Sequence, residues 1–157
     1  MELRARRVAE IMQTEVATLA RGDHVDLADD IMRLGHVRHM PVVEGVRLVG
    51  IVSARDILAA SLTRALEFDP AHRRAFLRSV DVAEVMSSEV VSIEPDATLG
   101  EAAELLLAHR IGCLPVAKPD GTLLGIVTET DLLRAAYGGE GGVGEGAVGA
   151  RQGSRKR

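Results

Sequence analysis

With 157 residues, 46% of them apolar and 27% charged, the chain is long enough to bury a core and has the composition of a globular protein. A net charge of -4 provides no field to draw in a polyanion, and two Phe, one Tyr and no Trp leave few platforms for base stacking, so nucleic-acid binding is not expected. Arg4, Arg6 and Arg7 are followed by no apolar stretch of signal length and eighteen apolar residues never occur together, which points to a cytoplasmic protein with no membrane segment.

After a charged lead of residues 1–7, Val8-Ala9-Glu10-Ile11-Met12 opens a unit that returns 74 positions later as Val82-Ala83-Glu84-Val85-Met86. A short β-rich run, Val16 to Leu19, predicts a first strand. Leu27, Ile31 and Leu34 stand at helical spacing behind His24, a weak cap. Met40 to Val43 and Leu48 to Val52 form a hairpin pattern about Glu44-Gly45, and a second helix is expected from about Ala54 to Leu66. Asp69-Pro70 reads as the cap and first residue of a linking helix through Ala75, Phe76 and Leu77, with Arg73, Arg74 and Arg78 on a solvated basic face.

The second copy follows the same order. Val90 to Ile93 predicts its first strand, and Thr98 and Glu101 have capping-box spacing ahead of an apolar stripe of Leu99, Ala102, Ala103, Leu106 and Leu107. Leu114 to Ala117 and Leu123 to Val127 flank a turn at Lys118 to Gly121, and a helix runs from about Glu129 to Tyr137. Pro41 and Pro115 hold the offset of 74; one extra residue in the second hairpin turn makes it 75 for Gly50 and Gly125 and for Asp56 and Asp131. A constant offset broken only at a turn is the mark of a duplicated folded unit.

The expected class is therefore α+β, two β-α-β-β-α repeats: residues 8–66, a linker helix over 67–80, residues 81–137, and a disordered Gly-rich, basic-ended tail over 138–157. A half of this size cannot cover both faces of a three-stranded sheet, so the copies should pack sheet to sheet about a pseudo-twofold axis.

The chemistry concentrates where a strand meets a helix, at Gly50-Ile51-Val52-Ser53-Ala54-Arg55-Asp56 and again at Gly125 to Asp131. Free N–H groups at a helix start favour an anion, a hydroxyl holds a phosphate oxygen, and a carboxylate one turn on accepts from the two hydroxyls of a ribose. Ser-x-x-Asp and Thr-x-x-Asp are equally helix-capping patterns, and spacing alone leaves both readings open. Cys113 reads as a small buried hydrophobe. His36 and His39 lack a third metal ligand in local sequence and read as solvated or phosphate-facing groups. No Ser-His-Asp order, glycine-rich phosphate loop or paired-carboxylate motif argues for turnover.

Together the Val-x-x-Ile-Met and Val-x-x-Val-Met openings, the Met40-Pro41-Val42 and Leu114-Pro115-Val116 strands and the Gly-Ile-Val-Ser/Thr-x-x-Asp closings resemble a tandem CBS-domain pair, the Bateman module, over residues 8 to 136. The resemblance implies a homodimeric module that binds AMP, ADP, ATP or S-adenosylmethionine in clefts between its repeats and regulates a partner protein, not identified by sequence, without an obligatory cofactor or a catalytic residue. It implies ribose at Asp56 and Asp131 and phosphate at Ser53 and Thr128. It also implies cleft positions for Arg38, His39 and Met40, for Gly112, Cys113 and Leu114, and a base flanked by the openings near Ile11 and Val85. Because Arg38-His39 is charged where Gly112-Cys113 is not, one site is expected to bind phosphorylated nucleotides better than the other. The competing expectations are a ligand-free dimerisation scaffold in which the hydroxyl and carboxylate residues only cap helices, and a metal-dependent hydrolase built on His36, His39 and Asp56.

Overall fold

A computed structural model of the protein describes residues 2–62 and 70–138. The end of the expected helix Ala54 to Leu66 beyond Leu62, the Asp69 cap and the tail from residue 139 lie outside the described residues.

The first repeat holds helix α1 (Val25–Gly35), the antiparallel hairpin β1 (His39–Glu44) and β2 (Arg47–Ser53), and helix α2 (Ala54–Leu62). Helix α3 (Pro70–Ser79) and the single turn α4 (Val82–Val85) lead to α5 (Leu99–His109), the hairpin β3 (Cys113–Ala117) and β4 (Leu123–Thr128), and α6 (Glu129–Tyr137). The first hairpin turns at Gly45-Val46, one residue later than the pattern suggested, because Gly45 supplies the positive φ of 63° that a two-residue turn needs.

Local capping follows the residues. Thr98 Oγ1 accepts from the Glu101 N–H at 3.2 Å while Glu101 Oε2 accepts from the Thr98 N–H at 2.7 Å, which holds the Glu101 carboxyl below its ordinary range. His24, in the same position ahead of α1, makes no side-chain cap. Helices α1 and α5 stop alike, at His36 (φ 52°) and Arg110 (φ 53°), both left-handed.

The two expected first strands do not form. Leu19 and Ile93 each make a single parallel bridge, to Val42 and Val116, so both sheets are two-stranded with one extra rung. Leu19 donates to the Pro41 carbonyl at 2.9 Å and accepts from the Val43 N–H at 2.8 Å; Ile93 does the same with Pro115 and Ala117. The next rung back along either run would need the N–H of Pro41 or Pro115, which proline lacks.

Two cores form, and each is closed by the other repeat's opening. Val8, fully buried, packs with Ile93, Leu99, Ala102, Leu106, Leu114, Val116 and Val127; Val82, also fully buried, packs with Leu19, Val25, Met32, Met40, Val42 and Val52. Burying one such valine contributes about 1.5–3 kcal/mol. Backbone pairs fasten the exchange: the Gln13 N–H donates to the Ile126 carbonyl at 2.8 Å and Ile126 returns the bond at 2.9 Å, while Ile51 and Ser87 trade bonds of 3.0 and 2.9 Å. The close approach explains two glycines. A Cβ at Gly125 would collide with the carbonyl oxygen of Gln13, and one at Gly50 would stand 2.6 Å from Met86 Sδ.

The hairpins also join at their tips, where the Leu48 N–H meets the Gly121 carbonyl and the Leu123 N–H meets the Val46 carbonyl, each at 2.9 Å. Helix α3 breaks the symmetry. Arg73, Arg74 and Arg78 lie on the solvent-exposed face expected of them, where they pair with Asp29, Asp30 and Asp26 of α1 at 3.3, 3.5 and 3.7 Å, exposed contacts that each add little stability.

Candidate functional site

The exchange of openings leaves two clefts between the repeats, of about 650 and 660 Å³, within the general range of small-molecule pockets. Each contains the start of one repeat's last helix and the end of the other repeat's first helix. The first cleft takes Ser53 and Asp56 with Arg55, Arg110 and Cys113; the second takes Thr128 and Asp131 with Gln13, His36 and Arg134. Arg38, His39, Gly112 and Glu129 form a wall common to both. The fixed charge of Arg38 therefore belongs to neither cleft alone. A Cβ at Gly112, the counterpart of Arg38, would make only ordinary contacts, 3.5 Å from Glu129 Oε2 and 3.8 Å from His39 Cε1.

Both hydroxyl and carboxylate pairs cap helices. Ser53 Oγ accepts from the Asp56 N–H at 3.1 Å and Asp56 Oδ2 accepts from the Ser53 N–H at 2.7 Å. Thr128 and Asp131 repeat this at 3.2 and 2.9 Å. Beyond that the pairs differ. The Thr128 hydroxyl also donates to Asp131 Oδ2 at 2.9 Å, and Gln13 Nε2 lies 3.0 and 3.2 Å from the two Asp131 oxygens. Asp131 is 7% exposed, with its charge satisfied inside the protein.

Among the described residues Asp56 Oδ1 accepts no hydrogen bond, and Arg38, Arg55 and Arg110 make no ion pair through their guanidinium groups. Three unpaired guanidinium groups lining a cleft with Asp56, whose Oδ1 is free, and with Glu89 and Glu129 suit a ligand with both an anionic and a hydroxyl-bearing part.

His39 lies below its ordinary pKa chiefly because it is buried, helped by Arg38 and Arg55 and opposed by Asp56 and Glu129. It is a neutral group that a bound phosphate would help to protonate. Burial, reinforced by the Asp131 charge, pushes the Cys113 thiol up to about 12, which makes it an inert edge of the first cleft.

Other expected site residues lie elsewhere. The side chains of Met40 and Leu114 are fully buried in the two cores and line neither cleft, because strand alternation turns them opposite to His39 and Cys113. Ile11 and Val85 pack against the cores. Gln13, Arg110 and Arg134 carry no motif of their own, and only their places in the clefts reveal them. No three His, Cys, Asp or Glu side chains among the described residues are placed to hold a metal ion, so His36, His39 and Asp56 do not come together as a metal centre. No described helix is long and apolar enough to cross a membrane.

Residues 8–63 and 82–138 match the family model of the CBS domain. The chain is 32% identical over 125 residues to the CBS domain-containing protein YhcV of Bacillus subtilis, covering 80% of this chain and 81% of that one. It is 30% identical over 128 residues to a homoserine O-acetyltransferase of Methanohalobium evestigatum, covering 81% of this chain and 23% of that one. The chain spans less than half the length of several curated relatives it matches. The crystal structure of CBSX2 in complex with AMP superposes with a TM-score of 0.69 at 27% identity, covering 83% of this chain and 95% of that one.

Proposed function

The chain belongs to the CBS-domain family and carries two repeats in tandem, and from that premise we propose that it is a regulatory module that binds an adenosine-containing nucleotide between them. AMP, ADP, ATP and S-adenosylmethionine are the candidate ligands. The module works as a homodimer, turns nothing over, and passes occupancy to a partner protein by a change of shape or affinity. The observation that carries this reading is the first cleft, where an open Asp56 oxygen and the Ser53 hydroxyl stand among Arg38, Arg55 and Arg110. The carboxylate suits a ribose diol and the cations suit phosphate. The AMP held by CBSX2 supports a ligand of this class.

The second reading is a ligand-free dimerisation scaffold, favoured by the fact that both hydroxyl and carboxylate pairs do cap their helices. Melting separates the two. A ligand at a hundred times its dissociation constant stabilises by about 2.7 kcal/mol, which raises the midpoint of a chain this size by about 5–10 °C. At least one of AMP, ADP, ATP, S-adenosylmethionine or NADH should do so, and Asp56→Ala should remove the rise. No response to any of them favours the scaffold, and a response to zinc alone would restore the metal-dependent alternative.

A further inference from the structure

Gln13 and Ser87 occupy matching positions, 74 apart in sequence and paired to Ile126 and Ile51, which match in turn. Their backbones do the same thing and their side chains do not. The Gln13 amide reaches Asp131, at 3.0 Å from Oδ1 and 3.2 Å from Oδ2. Serine ends at its Oγ, and Ser87 makes no side-chain bond to Asp56.

Resting on the reading of the clefts as nucleotide sites, we infer that Gln13 decides which of them accepts the sugar: it occupies Asp131 and leaves Asp56 as the carboxylate open to a vicinal diol. Oδ2 of Asp131 already takes the Thr128 N–H and hydroxyl, and both oxygens face the Gln13 amide. Oδ1 takes only the Gln13 amide, so a diol that is to bridge both oxygens of Asp131 has to push that exposed amide out to solvent, away from its charged acceptor. The Thr128 hydroxyl proton is committed as well, whereas the Ser53 hydroxyl accepts from Asp56 and donates to no described residue. A diol entering the first cleft displaces nothing from Asp56 Oδ1. The charges agree, though narrowly: apart from the shared residues, the first cleft sets Arg55 and Arg110 against Asp56 and Glu89, while the second sets Arg134 against Asp131 and Glu15, which leaves the first less negative by one charge. The first cleft is thus the acceptor of a phosphorylated ribonucleoside, and the second is closed to it by the protein's own side chain.

Calorimetric titration of the full chain with AMP, and separately with S-adenosylmethionine, which carries the same ribose diol, tests this. The wild type should bind one equivalent per chain, lost in Asp56→Asn and kept in Asp131→Asn. Gln13→Ser, which installs the residue of the matching position and keeps the backbone pair, should strengthen the second cleft by up to about tenfold, the scale of one part-exposed hydrogen bond to a charged group, and reveal a second equivalent. Ser87→Gln should weaken the first cleft by up to about tenfold by the same arithmetic, and it reads the effect without relying on the Gln13 variant to fold. Two equal sites in the wild type, unchanged binding in both variants, or a wild-type site that survives Asp56→Asn would overturn the inference while leaving nucleotide binding intact. No heat with either probe, in the wild type or in Gln13→Ser, would remove the nucleotide reading and this inference with it.

Discussion

Gly125→Ala tests whether the opening of the chain is locked onto the second hairpin. An added Cβ would collide with the Gln13 carbonyl oxygen and lie 3.3 Å from Met12 Sδ. A backbone oxygen cannot swing aside as a side chain does, so relief means lifting Gln13 off Ile126. That forfeits two hydrogen bonds of 2.8 and 2.9 Å, about 1 kcal/mol each. Loosened packing around Val8 and Met12 adds about 1 kcal/mol, and the lower entropy of the unfolded alanine chain returns about 0.5–1 kcal/mol. The expected net loss is about 2–2.5 kcal/mol. Gly50→Ala is the internal control. Its Cβ meets the mobile end of Met86 at 2.6 Å and the Ser87 carbonyl oxygen at 3.1 Å, contacts that a rotamer change and a small shift relieve, for about 1 kcal/mol or less. Urea unfolding followed by far-ultraviolet circular dichroism should separate the variants by about 1–2 kcal/mol, or about 3–6 °C in the melting midpoint. Equal losses, or a Gly125→Ala protein as stable as the wild type, would refute the locked exchange of openings.

Three further outcomes follow from single groups. With its thiol pushed up to about 12, Cys113 should react with a water-soluble alkylating agent at about pH 8 roughly a thousandfold more slowly in the folded protein than in urea, and comparable rates would contradict its burial. His39, held below its ordinary value of about 6.5, takes up its proton later in the folded than in the unfolded state. The stability linked to it is therefore present above that value and lost as pH falls through it towards the folded pKa. His39→Gln should lose less stability than the wild type between about pH 7.5 and 5.5, and parallel losses in urea midpoints would deny the linkage. Thr98→Ala should cost about 1 kcal/mol by removing the α5 cap, while His24→Thr, in backbone of the same kind, should gain up to about 1 kcal/mol, both read by urea denaturation; a neutral result at both positions would count against the caps.

Much of the architecture is local and can be read from neighbours along the chain. The hairpins at Met40 to Val52 and Leu114 to Val127, the stripe and cap of α5, and the buried character of Cys113 all rest on residues a few positions apart, where alternation, helical period and side-chain size decide the outcome. The Ser53/Asp56 and Thr128/Asp131 pairs are legible in the same way, because a cap and a binding pair share one spacing. Tertiary structure decided what those patterns leave degenerate. The openings Val8-Ala9-Glu10-Ile11-Met12 and Val82-Ala83-Glu84-Val85-Met86 are so alike that either could close either hairpin, and only the folded chain carries each to the other repeat. The same is true of the exposed arginines of α3, whose partners Asp26, Asp29 and Asp30 are brought beside them only by the packing of α1, and of Gln13, which meets Asp131 across 118 positions. Sequence alone determined the two hairpins, the helices that flank them and where hydroxyl and carboxylate stand together, whereas the runs Val16 to Leu19 and Val90 to Ile93 were left by the fold as single bridges. The fold alone decided which of those groups were already taken, because a hydrogen bond depends on distance in space, and separation along the chain says nothing of that.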